Sequence, residues 1–153
     1  MIEEYLEYIS GIRRYSPRTC RIYRSVLEDY AAFAGGEEIP DMQTLRSFEV
    51  HLLDERGESP RTVNLCLSVL SGYCRYLMKQ GRLESNPARL VSRPKQQKRL
   101  VEFYRSESMR EYFDATRGVS QFGDYSSKLR HMIIALLYGT GIRRSELIAL
   151  NRS

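Results

Sequence analysis

Ser59-Pro60-Arg61-Thr62-Val63-Asn64-Leu65-Cys66-Leu67-Ser68-Val69-Leu70-Ser71-Gly72-Tyr73-Cys74-Arg75-Tyr76-Leu77 decides the fold. A serine hydroxyl satisfies amides that a helix leaves free at its start, and proline at the first helical position loses no hydrogen bond. At 100° per residue, Arg61, Asn64, Ser68, Ser71, Arg75 and Lys79 share one face, opposite Thr62, Leu65, Val69, Leu70, Tyr73 and Leu77. The stretch therefore reads as an amphipathic helix that ends near Gly81.

The same signal occurs once before. Ser16-Pro17-Arg18-Thr19 and Ser25-Val26-Leu27 with Tyr30 match Ser59-Pro60-Arg61-Thr62 and Ser68-Val69-Leu70 with Tyr73, always 43 residues apart. This earlier helix should run to Gly35-Gly36, with Arg18, Arg21, Arg24 and Ser25 opposite Tyr23, Val26, Tyr30 and Phe33. Shared capping in one bundle explains the offset, and so does a two-copy helical repeat, although repeat arrays generally need about three units to bury a core.

Around these two, Ile2, Tyr5, Leu6 and Ile9 predict a first short helix ending near Gly11. Asp41 opens another that carries Leu45, Phe48, Leu52 and Leu53 and is closed by Gly57. Arg93-Pro94-Lys95-Gln96-Gln97-Lys98-Arg99 holds no apolar residue and reads as a linker, here taken as 91–100. It separates residues 1–90 from 101–153. Beyond it, Ser106 or Ser108 caps a helix with Met109, Tyr112 and Phe113, and another spans about Tyr125 to Tyr138 after a Gly118–Gly123 loop. No strand pattern stands out, so the fold class is all-α.

Composition narrows the function. The chain has 153 residues, 42% of them hydrophobic, enough for a core. Residues 1–92 carry 12 basic and 13 acidic side chains, whereas 93–153 carry 12 and 6. The excess positive charge suits an anionic partner such as nucleic acid. Cys20, Cys66 and Cys74 form no C-x-x-C pair and are odd in number, which speaks against a zinc site or a disulfide framework and for buried thiols. No apolar run approaches the ~20 residues that span a bilayer, and Ile2-Glu3-Glu4 is unlike a signal peptide, so a cytoplasmic location without membrane attachment is expected. No glycine-rich phosphate loop, H-E-x-x-H or G-x-S-x-G is present; neither a metal nor another cofactor is implied.

The two basic helix faces have the side chains that read duplex DNA: arginine on guanine or phosphate, asparagine on adenine, serine wherever it lies close. The candidate contacts are Arg14, Arg18, Arg21, Arg61, Thr62, Asn64, Ser68 and Arg75, with Lys95 and Arg99 from the linker. A merely solvated basic face is the other reading.

Near the end, Leu136-Leu137-Tyr138-Gly139-Thr140-Gly141-Ile142-Arg143-Arg144-Ser145-Glu146-Leu147 follows an apolar helix with a glycine turn and an arginine. The pattern L-L-Y-x-T-G-x-R-x-S-E-L resembles the first arginine box of the tyrosine recombinases, the lambda-integrase and Xer-type site-specific DNA recombinases. The S-P-R-T helices and Asn86-Pro87 are similar to that family's core-binding domain. The resemblance implies a small SAM-like helical bundle that grips one face of a DNA half-site, with residues 17–34 and 60–80 crossing adjacent major grooves. The first helices of a truncated catalytic domain would follow. Where the family often has a basic residue after the asparagine, Leu65 and Cys66 stand here.

The resemblance implies Arg143 as the first catalytic arginine, in a reaction where a tyrosine attacks the scissile phosphate and forms a 3′-phosphotyrosyl link. Arg144 aligns with a variable position, and Glu146 reads as a structural partner. His51 and His131 are followed three residues later by Asp54 and Ile134, so neither makes the H-x-x-R box. The lysine and the nucleophilic tyrosine are not found either. The expectation is a chain that binds duplex DNA and takes part in recombination or integration without cleaving strands itself. Other recombinase protomers, tetrameric in the family's synapse, are the implied partners. Exposed apolar helices after residue 100 would favour a dimer or domain swap. An accessory helical DNA-binding protein and a protein-interaction scaffold are the alternatives.

Overall fold

The structure, a computed structural model, describes residues 1–96 and 103–150. The described residues contain helices and turns but no strand, and the chain divides into two compact units, residues 1–98 and 99–153.

In the first unit, α1 (Ile2–Glu7) continues through a π turn (Tyr8–Ile12), so the helical path passes Gly11. Then come α2 (Pro17–Phe33), α3 (Met42–Val50) with its own π turn (His51–Glu55), α4 (Pro60–Lys79) and a 3-10 turn (Pro87–Arg89). The 43-residue offset is carried by the backbone as well as by the side chains. Arg13 N–H donates to Tyr8 O at 3.0 Å, as Arg56 N–H does to His51 O at 3.0 Å. Tyr15 N–H bonds Ile9 O, and Glu58 N–H bonds Leu52 O. Arg14 and Gly57 both lie in the left-handed region, at φ 52° and 63°. Ser16 Oγ and Ser59 Oγ each accept the amide of the threonine three residues on, at 3.2 Å. The bundle is thus two helical hairpins of one design. Two copies suffice because each hairpin buries its apolar face on the other instead of stacking in an open array.

The core sits around α4, which buries Val63, Cys66, Leu67, Val69, Leu70, Tyr73, Cys74, Tyr76 and Leu77. Leu27 and Tyr30 of α2 and Leu45 and Phe48 of α3 join them, with the Tyr30 and Phe48 rings edge to face at 5.4 Å. Each fully buried large side chain of this kind contributes about 1.5–3 kcal/mol. Leu65, read above as apolar-face, is 45% exposed. It lies only about 40° around the helix from Arg61 at 100° per step, so Val63 and Cys66 face inward in its place. Ala88 and Val91 are buried as well, which extends the core past Asn86-Pro87.

Burial pushes the Cys66 thiol up and that of Cys74 up to about 11, because the thiolate would be desolvated. Only a thiolate attacks a disulfide reagent. At pH 8 such a reagent is expected to titrate Cys20 alone in the native protein and all three cysteines after denaturation. Three rapid equivalents from native protein would contradict this packing.

The second unit contains α5 (Ser106–Ala115), α6 (Val119–Phe122), α7 (Tyr125–Thr140) and α8 (Arg144–Ile148). Ser106 is the first residue of α5 and Arg105 occupies its cap without a side-chain bond, so neither serine caps this helix. Val119–Phe122 closes a single helical turn within the expected Gly118–Gly123 loop, because Phe122 N–H reaches Gly118 O. Asp124 caps α7, accepting Ser127 N–H at 3.1 Å. Among the described residues of this unit none is buried. Among all described residues, no helix is long and apolar enough to cross a membrane.

Candidate nucleic-acid interface

The cations on and beside α2 and α4 fall into those the protein neutralises itself and those it leaves unpaired. Arg24, about 60° around α2 from Arg21 at 100° per step, is taken up by α1: its Nη2 donates to Glu3 Oε2 at 2.9 Å, and Glu28 lies within reach. Arg56 is paired with Asp29 at 3.1 Å and Arg82 with Glu4 at 3.0 Å. Arg18, Arg21 and Arg61 are exposed and have no carboxylate partner among the described residues. Arg75 and Lys79, farther along α4, are likewise exposed and without a carboxylate partner among the described residues.

Arg14 is exposed too, and its backbone is left-handed at φ 52°. An L-residue bears about 1–2 kcal/mol there, and the matching position in the second hairpin is glycine. Backbone strain of this kind clusters at functional sites. Arg14→Gly is expected to raise stability by about 0.5–1 kcal/mol in urea denaturation while weakening duplex binding. A loss of stability would show that the arginine serves the fold.

The middle of the α4 stripe is occupied by the chain itself. Asn64 Nδ2 donates to Pro94 O at 2.9 Å, and Arg93 Nη1 donates to Ser68 Oγ at 2.9 Å and to Asn64 O at 3.3 Å. Ser68 Oγ donates in turn to Asn64 O at 2.7 Å. Asn86 Nδ2 bonds Ser71 O at 3.0 Å. Asn64 Oδ1 is buried without a donor, so neither end of this amide is presented outward. Thr62 Oγ1 is engaged with Ser59 Oγ at 2.9 Å, part of the cap. The first residues of the expected linker thus form a strap across α4, and Arg93 joins the stripe. Sequence reading missed that placement, because no local pattern ties residue 93 to residue 68. Lys95 is exposed beside the strap; Arg99 lies outside the described residues.

In the second unit, Gly141 caps α7 at φ 66° and its N–H bonds Leu137 O at 3.0 Å. Arg143 caps α8. Its backbone N–H donates to Glu146 Oε2 at 2.9 Å and its Nη1 to Glu146 Oε1 at 3.1 Å. Glu146 therefore orients the arginine and satisfies a free amide at the helix start. The guanidinium is otherwise open to solvent, 81% exposed.

Residues 2–81 match the family of the phage integrase N-terminal SAM-like domain. Over 99% of its length the chain is 30% identical to tyrosine recombinase XerC of Chlorobaculum parvum, of which it covers 52%. It is 29% identical over its full length to tyrosine recombinase XerC of Bacillus pumilus, covering 50% of that protein. With tyrosine recombinase XerC of Bacillus subtilis the identity is 30% over 95% of the chain and 48% of the relative. The chain spans about half the length of the curated relatives it matches. No solved structure matches. With its paired helical hairpins in the SAM-like region and a likeness to these recombinases that runs on through the Arg143 turn, the chain belongs to the tyrosine recombinase family.

Proposed function

We propose that residues 1–96 bind one half-site of duplex DNA as the core-binding part of a site-specific recombinase engaged in DNA recombination and integration. The observation that carries this reading is the sorting of arginines. Arg18, Arg21 and Arg61 stay unpaired on the outer faces of α2 and α4, while Arg24, Arg56 and Arg82 are neutralised by carboxylates. Unpaired guanidiniums on helices that fit a major groove release counterions from phosphates on contact. Asn64 and Ser68 anchor the strap, and reading a base with them requires residues 93–94 to lift. Selection from a random duplex library at physiological salt tests the reading. A shared motif, lost in Arg61→Ala, supports it; no enrichment by folded protein overturns it in favour of a scaffold.

Arg143 is proposed to stabilise the nonbridging oxygens of the phosphate under attack, where a planar guanidinium supplies two parallel donors. Glu146 keeps it oriented. Within residues 1–153 the histidines make no H-x-x-R box. The polypeptide of residues 1–153 alone is therefore expected to leave no covalent adduct on a nicked suicide duplex in a denaturing gel. Any adduct would show a nucleophile within these residues. Further protomers of the recombinase are the proposed protein partners, and α7 and α8 of the second unit the segments that meet them.

A further inference from the structure

A cavity of about 130 Å³ opens between α1, its π turn, α2 and the C-terminal half of α4. Its rim carries Arg13, Arg75 and Lys79, all exposed, and no carboxylate lines it. Tyr15 and Tyr23 form one wall, their rings edge to face at 5.6 Å, and the Tyr15 phenol neighbours Arg13. The floor is Tyr5, packed on Tyr73 and Tyr76 with ring centroids 5.2 Å away in each case. Burial pushes the phenols of Tyr5 and Tyr23 up from a range that is already protonated at neutral pH.

Gly72 shapes the site. A Cβ there would lie 2.9 Å from Tyr5 Oη and 4.0 Å from both Arg75 Nη2 and the Tyr23 ring. A hydroxyl, a guanidinium and an aromatic edge thus converge on a position of α4 without a side chain. Glycine inside a helix costs about 1 kcal/mol relative to alanine, and its use leaves room beside the hydroxyl of Tyr5, a residue only 4% exposed. The cavity is well below the ~300 Å³ of ordinary small-molecule pockets. It suits a compact anion.

We propose that this cavity seats one phosphate of the DNA backbone, with Arg13, Arg75 and Lys79 neutralising it from the rim and the Tyr5 hydroxyl donating from the floor. The inference rests on the DNA-binding reading above and adds a fixed point of contact, since phosphate contacts set register and orientation on a duplex. Arg75 and Lys79 extend the α4 stripe, so the seat lies at one end of the face that carries Arg61.

The test uses the full chain in phosphate-free buffer, with affinity for a fluorescent duplex measured across salt concentrations. One phosphate contact contributes about 0.9 to the slope of log affinity against log salt. Gly72→Ala, which changes no charge, is expected to reduce the slope by about that amount. Tyr5→Phe, which keeps the ring and fills nothing, is expected to lower affinity severalfold, and circular dichroism reports whether each variant folds. In parallel, inorganic phosphate is titrated while the Gly72 amide resonance is followed. A reduced slope in Gly72→Ala together with lowered affinity in Tyr5→Phe supports a backbone phosphate. Unchanged slopes with a saturable phosphate shift would overturn the DNA source and leave a site for free phosphate. Unchanged slopes and no shift would remove the site altogether. If the wild-type chain does not bind duplex at all, the DNA-binding reading fails and the backbone assignment with it, while the phosphate titration still decides whether an anion seat exists.

Discussion

Replacing Arg18, Arg21 and Arg61 together by glutamine is expected to weaken binding to a duplex about a hundredfold at 0.15 M salt. Each lost phosphate contact forfeits about 0.9 released counterion, which at that salt is about 1 kcal/mol, and about 3 kcal/mol is a factor of order one hundred. The informative control replaces Arg24, Arg56 and Arg82 by glutamine. Both triple variants lower the net charge by the same amount, yet the second removes guanidiniums already held by Glu3, Asp29 and Glu4. Exposed ion pairs of this kind contribute about 0–1 kcal/mol each to stability, so the control should fold. Its affinity is expected to stay within about threefold of the wild type. Equal losses in the two variants would mean that diffuse positive charge, and not a defined face, attracts the nucleic acid.

Amide hydrogen exchange is expected to separate the two units by at least three orders of magnitude. The amides of α4 are covered by nine buried side chains of its own and by α2. They should open only with the whole bundle, which for a domain of this size lies at several kcal/mol. In α7 no residue is buried, with Met132 51% and Tyr138 53% exposed. A helix of its length is marginal when its apolar face, here residues 133–137, is only half covered. Its amides are expected to exchange quickly in dilute protein and to gain protection as concentration rises, because exposed apolar helices seek cover. Protection in dilute α7 equal to that in α4 would contradict this division, and concentration-independent exchange would remove self-association.

Most of the first unit was legible because its signals are local. Serine and proline at positions 16–17 and 59–60 act within one turn, so both long helices started where the sequence put them. The Thr140–Glu146 stretch was equally readable, since its bonds span at most four residues. What stayed hidden depends on partners far away in the chain. Arg21 and Arg24, neighbours on α2, look alike until α1 brings Glu3, 21 residues distant, onto the second of them. Asn64 reads as a base-contacting amide until Pro94, 30 residues on, occupies its donor. The cavity beneath Gly72 draws on residues from Tyr5 to Lys79. In the second unit, the single turn at Val119–Phe122 is too short for any periodicity to show.

An amide chemical-shift map of the chain on addition of a duplex locates the DNA-facing surface. The largest changes are expected along Arg18–Ser25 of α2 and Arg61–Lys79 of α4, with α3 almost still. Shifts centred on α3, or spread evenly over every exposed arginine, would contradict a DNA-gripping face built from α2 and α4.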